Sequence, residues 1–347
     1  MKKVLKILGI GIVILLLSLV AYVFLNTPKL PTNADAIIEE VLNAEIPEFV
    51  KGETGYVKNG AVKIWYESIM PVDTNKGAIL LFMGISNDAL GWPQSFLDKF
   101  VHSGYQVIRF DYRDTGFSDW DENSENTSYS LADLATDSKI VLDSLGLDKA
   151  NILGVSLGGM VAQEFAINYP NRTNTLTSIM SSGNIFDENL PPISLDVTFD
   201  LIKTSIRYGV IPSDKNNIKL HITARKILRG SADYAIDIRE TSEQVLYNLR
   251  RRKGYNSKAS SQHQEASYRS GSRYDKLKEL EIPTLIIHGL NDPFIPIEHS
   301  KKLATILPNA KTKWIKNMGH DIPLEFTDII YEEVDEIIKN KIVNDYY

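Results

Sequence analysis

The chain has 347 residues, 43% hydrophobic and 24% charged, enough for a large core, and no low-complexity tract interrupts it. A formal net charge of −6, with nothing suggesting a basic face for phosphate, argues against a general nucleic-acid binder. The absence of cysteine excludes disulfides, thiolate metal sites and cysteine nucleophiles, and the six histidines form no i, i+4 pair around an acid, so no metal or other cofactor is expected.

The first segment, "MKKVLKILGIGIVILLLSLVAYVFLNTPKLP", has three lysines and then an uncharged run of 19 residues, 7–25. As a helix that run covers ~30 Å, the thickness of bilayer hydrocarbon. A cleaved secretory signal would carry small residues three apart before the cut, and Leu19-Val20-Ala21 is a poor candidate. An uncleaved single-pass anchor is therefore expected over residues 1–29, with secretion after signal cleavage as the alternative. Lys2, Lys3 and Lys6 would stay cytoplasmic and put the rest of the chain on the extracytoplasmic side of the cell membrane.

Residues 30–52 read as a proline-containing linker and a short amphipathic helix. "ETGYVKNGAVKIWYESIM" alternates with period two around Asn59 and Gly60, a hairpin signal. Six short apolar, β-rich runs follow: "GAILLFM", "YQVIRFD", "ANILGV", "LTSIM", "PTLIIHG" and "KTKWIKN". Helical patterns at 92–103, 130–145, 157–169, 297–307 and 322–341 separate or follow them. Strands buried on both faces and alternating with helices predict an α/β class: a mostly parallel eight-stranded sheet with helices on both sides. The alternation fails over 185–274, which reads as short helices inserted into the core domain (53–184 and 275–347), with no core of its own. Its basic stretch, residues 250–253, reads as a solvated helix end; recognition of an acidic substrate is the alternative.

Gly154-Val155-Ser156-Leu157-Gly158 fits the pattern G-x-S-x-G between a predicted strand and a predicted helix. Holding a hydroxyl clear of its own backbone there requires a sharp turn, a positive φ at Ser156 and no side chains at the flanking glycines. The helix from Leu157 then aims its free N–H groups at the reaction site. The alternative is a glycine-rich turn with a helix-capping serine. A serine hydroxyl needs a base, and the base an orienting acid. Downstream, Asp292 follows the strand "PTLIIHG" and His320 follows "KTKWIKN", so both emerge at the same sheet edge as Ser156. The expected catalytic set is Ser156, Asp292 and His320. His288 precedes the acid and is expected to pack at its strand end. Asp321 is expected to cap the helix near Ile322. Asp111 and Asp114 follow an earlier strand, and Arg113 with Asp114 is expected to brace that loop as a charge pair. Oxyanion donors are expected at the backbone N–H of Leu157 and, after "AILLFMGIS", of Ile85.

Together with "MGISNDALGWPQSF", "VIRFDYRDTGFSD", "GVSLGGMVAQEFA" and "NMGHDIP", these residues resemble the α/β-hydrolase superfamily over about 53–340. They look closest to its branch typified by aclacinomycin methylesterase. That resemblance implies a helical cap over the pocket and hydrolysis of a small-molecule carboxylic ester through an acyl-enzyme. A cofactor-free haloperoxidase-like or amidase activity on the same residues, and a ligand-binding receptor without turnover, are the alternative readings.

Overall fold

Along the central strands, consecutive side chains alternate between two separate cores, as the period-two geometry of a strand dictates. Leu80, Ile108, Ile152 and Ile286 enter one core, and Ile79, Leu81, Val107, Leu153, Leu285 and Ile287 the other. This is why their sequences are apolar throughout. In the computed structural model, which describes residues 2–121 and 129–345 apart from the side chains of 2–5, 7, 9, 16, 19 and 342–345, the strands form one sheet. They are β1 (Glu53–Asn59), β2 (Val62–Ile69), β3 (Ala78–Phe82), β4 (Gln106–Phe110), β5 (Ala150–Val155), β6 (Thr173–Ile179), β7 (Thr284–Gly289) and β8 (Ala310–Ile315), in the order β1-β2-β4-β3-β5-β6-β7-β8. β1 and β2 pair antiparallel around Gly60, β2 pairs antiparallel with β4, and every later pair is parallel.

Twelve α-helices are present among the described residues: α1 (Lys2–Asn26), α2 (Ala34–Asn43), α3 (Gln94–His102), α4 (Leu131–Ser144), α5 (Leu157–Asn168), α6 (Leu195–Gly209), α7 (Asp214–Arg229), α8 (Ile238–Arg251), α9 (Ala259–Ser270), α10 (Tyr274–Leu277), α11 (Ile297–Ile306) and α12 (Thr327–Asp345). α4, α5 and α11 cover one face of the sheet, and α3 and α12 the other. α4 begins with a reciprocal cap, Ser130 on the Asp133 N–H and Asp133 on the Ser130 N–H, a motif that satisfies two otherwise orphan donors. α12 starts five residues later than the helix expected from residue 322, because Pro323 opens a separate 3₁₀ turn (Leu324–Phe326).

Between β6 and α10 the chain forms the cap helices α6, α7, α8 and α9. These helices share a small apolar cluster with a helix outside the insertion. Ile218 and Ile222 of α7 pack with Ile238, Val245 and Leu246 of α8. The short helix α2, expected from its amphipathic pattern, inserts Ala34, Ile38 and Val41 into the same cluster. The expected anchor falls within α1. Among the described residues no helix is long and apolar enough to cross a membrane, and four side chains of the expected span (7, 9, 16 and 19) lie outside the description.

Candidate active site

Ser156 occupies the single residue between β5 and α5, with φ 56°. The left-handed region is costly for a side-chain-bearing residue and persists where the surroundings enforce it. Two glycines permit the turn, each for its own reason. A Cβ at Gly154 would lie 2.1 Å from the Gly158 carbonyl oxygen, across the corner. A Cβ at Gly158 would lie 2.0 Å from the Phe82 carbonyl oxygen of β3, so this glycine lets α5 approach the neighbouring strand. The Ser156 side chain makes no capping hydrogen bond to α5, which removes the helix-cap reading.

The hydroxyl is instead directed at a histidine. His320, on the loop after β8, has Nε2 3.0 Å from Ser156 Oγ and Nδ1 2.7 Å from Asp292 Oδ2, and Asp292 sits on the loop after β7. A ring nitrogen against a carboxylate carries the proton, so Nδ1 donates to Asp292 and Nε2 is left to accept from the serine O–H. The other oxygen, Asp292 Oδ1, accepts the backbone N–H of Phe294 (2.8 Å) and of Ile295 (3.0 Å). Burial alone would raise the Asp292 pKa, but His320 and His288 beside it hold the carboxyl well below the usual carboxylate range. Asp292 therefore remains a charged acceptor that fixes the His320 tautomer. The Phe294 ring, 5.3 Å from the His320 ring, packs edge-on against it.

His288 was expected only to pack at the end of its strand. It is buried there, and its Nε2 also lies 3.3 Å from Asp292 Oδ2 while donating to the Ile295 carbonyl at 3.0 Å. Ser300 Oγ meets its Nδ1 at 2.7 Å.

The Leu157 N–H opens α5 and, like the N–H of Ile85, meets no protein acceptor among the described residues. The loop after β3 lies against Ser156: a Cβ on Gly84 would sit 3.7 Å from Ser156 Cβ. That loop is held by a cap residue that sequence reasoning missed. The Ser86 N–H, at φ 58°, donates to His263 Nδ1 of α9 (3.2 Å), and His263 Nε2 donates to the Arg113 carbonyl (3.0 Å). Burial lowers the His263 pKa, which keeps Nδ1 an acceptor.

The other candidates have structural partners. Asp321 Oδ1 accepts the N–H of Ile322, at the loop before the 3₁₀ turn rather than at a helix start. Arg113 does not pair with Asp114; it forms a two-bond pair with Asp137 of α4 (2.7 and 2.8 Å) because Asp114 is taken by the Tyr129 hydroxyl at 2.6 Å. Asp111, buried, accepts the N–H groups of Ala89 and Phe117 and the guanidinium of Arg252. The basic stretch divides accordingly. Arg250 and Arg251 are exposed and pair with Asp214 and Glu48, whereas the Arg252 side chain is wholly buried, and Lys253 donates to the Ser118 carbonyl. The reading of 250–253 as a solvated end is therefore corrected at Arg252, which also bridges to Asp88 (3.3 Å) and lies 4.7 Å over both Trp65 and Phe117.

Residues 77–327 match the family described as the alpha/beta hydrolase fold. Rhodomycin D methylesterase DnrP of Streptomyces peucetius is 27% identical over 286 residues, covering 78% of this chain and 93% of its own length. A 2-hydroxy-6-oxononadienedioate/2-hydroxy-6-oxononatrienedioate hydrolase of Paraburkholderia phymatum is 28% identical, covering 72% of this chain and 83% of its own length. Among solved structures, an esterase from Exiguobacterium antarcticum superimposes with a TM-score of 0.61 at 20% identity, over 80% of this chain and 96% of its own. At that identity the likeness is one of fold.

Proposed function

The chain belongs to the α/β-hydrolase family and is a hydrolase related to the methylesterase branch, and from that premise we propose a membrane-anchored serine esterase acting through Ser156, His320 and Asp292. The observation that carries the proposal is the continuous hydrogen-bonded row from Ser156 Oγ through His320 to Asp292. In the first half-reaction His320 Nε2 takes the serine proton as Oγ attacks the ester carbonyl. The N–H groups of Leu157 and Ile85 stabilise the oxyanion, each such donor contributing ~3–4 kcal/mol to the barrier reduction. His320 returns the proton to the leaving alcohol, then activates water to release the acid from the acyl-enzyme. Asp292 holds the tautomer and the imidazolium. Relatives named as methylesterases favour a carboxylic ester as the small-molecule substrate.

The anchor rests on residues 7–25, which carry no charge, and on the exposed apolar side chains of α1, among them Leu8, Ile12, Leu15 and Leu17. The lysines at its start put the catalytic domain on the extracytoplasmic side. Ser156→Ala in the full chain should abolish turnover of p-nitrophenyl esters and labelling by a fluorophosphonate, with unchanged circular dichroism. An equally active variant overturns this mechanism. A wild-type chain that binds ester saturably without turnover or labelling would make the protein a receptor.

A further inference from the structure

α6 is apolar on the side where a soluble helix is polar. Its buried face holds Val197, Thr204 and Tyr208. On the opposite face Leu195, Phe199, Ile202, Ile206 and, just past the helix, Val210 follow one another at spacings of four, three, four and four, so they fall in one stripe. All five are exposed, Leu195 by 65%, Phe199 by 59% and Val210 by 72%, and Ile211 beside them by 71%. Exposed apolar side chains scattered singly are ordinary, but a continuous stripe of this kind marks a contact surface.

The neighbour of α6 says what covers the stripe. α6 packs beside α1, with Arg207 Nη1 donating to the Phe24 carbonyl at 2.9 Å and its guanidinium lying 5.4 Å over the Phe24 ring. Lys203 reaches the Asn26 carbonyl at 3.4 Å and lies 5.9 Å over the Tyr22 ring. Both cations lie along one edge of the stripe with Asp196 and Asp200, the polar border of a helix at an interface. With α1 as the anchor proposed above, its apolar surface and the apolar face of α6 beside its end would form a single lipid-facing surface.

We infer that the outer face of α6 docks in the interfacial layer of the bilayer that holds α1, making the cap the membrane-facing side of the enzyme. The inference rests on the proposed anchor and deepens it. The N–H of Ser194, which caps α6, donates to the Phe294 carbonyl at 3.1 Å, and Phe294 packs on His320. The docked helix is thus fastened to the loop that carries Asp292.

The chain has no native cysteine, so single nitroxide labels can be attached through Phe199→Cys, Ile202→Cys and Ile206→Cys, with Lys58→Cys on β1 as an aqueous control. Full chains reconstituted in vesicles of phosphatidylcholine and phosphatidylglycerol should float with the lipid. Collisions of the three α6 labels with oxygen should exceed those with a water-soluble nickel chelate, and the label at 58 should show the reverse. Chains that float while the α6 labels behave like 58 overturn the docking and leave the anchor standing. Chains that do not float overturn the anchor and, with it, this inference.

Discussion

Two histidines share the carboxylate of Asp292, and they are not equivalent. His320 Nδ1 lies 2.7 Å from Oδ2 and also reaches the serine, while His288 approaches the same oxygen at 3.3 Å from the side of the sheet and touches no reacting atom. Its contribution is positional: it holds Asp292 Oδ2 and ties the Ile295 carbonyl and Ser300 into one buried cluster. His288→Phe keeps the ring volume and deletes these bonds, leaving the buried Ile295 carbonyl unpaired at ~1–3 kcal/mol. The expected result is a kcat about tenfold lower, corresponding to ~1.4 kcal/mol of barrier, with KM little changed and full fluorophosphonate labelling on longer incubation. A kcat equal to wild type would show that the backbone N–H groups of Phe294 and Ile295 suffice to orient the acid. At this scale the sequence was informative where chemistry imposes a local pattern. Ser156 between glycines, and Asp292 and His320 each just past an apolar strand, could be selected in order. His263 could not, because its task, accepting the Ser86 N–H from a cap helix 177 residues away in sequence, leaves no local trace.

The strands and the cap helices differ in how plainly they were written. The five inner strands β3 to β7 were legible because two-sided burial forces short apolar runs, β1 and β2 because their side chains alternate with period two about a tight turn, and the helices because strand and helix alternate. The cap was legible as a run of inserted helices, but not which faces of it are buried, because its helices bury residues such as Thr241, Ser242, Gln244 and Asn248 that carry no apolar signature. Arg252, directly after α8, is the clearest case. In a run of four basic residues nothing distinguishes it from its neighbours, yet it alone enters the core and meets Asp111 and Asp88 beneath Trp65 and Phe117. It joins the cap to the loops after β3 and β4. Removing one partner of a buried pair strands the other charge, at a cost of about 3–5 kcal/mol. Arg252→Met is therefore expected to lower the urea midpoint by that equivalent, and Arg252→Met combined with Asp111→Asn should lower it less than Arg252→Met does. A single variant as stable as wild type would show that the cap is held without this pair.

At the scale of the molecule, the cap and the segment before the sheet behave as one unit, since α2 completes the hydrophobic cluster of α7 and α8. Sequence reading divided them because connectivity was the available guide, and contact between a stretch near residue 38 and another near 222 is not recorded in either. The same unit half-buries His221 of α7, whose ring lies tilted against that of Tyr255 with centroids 4.3 Å apart. Burial, and secondarily the Arg225 charge, lower its pKa to about 4. In the unfolded chain a histidine titrates near ~6.5. Below that pH the unfolded chain takes up a proton that the folded chain refuses, so stability falls as pH falls, beginning near 6.5 and complete below about 4. Over that window the difference amounts to at most about 3 kcal/mol. His221→Phe keeps the ring contact and removes the titration. Measured by urea unfolding, the variant should gain on wild type as pH is lowered from about 7.5 to about 4.5, although both lose stability through their other groups. A gap between the two midpoints that stays constant across this range would mean that His221 protonates in place, with the cap opening around it rather than resisting the charge.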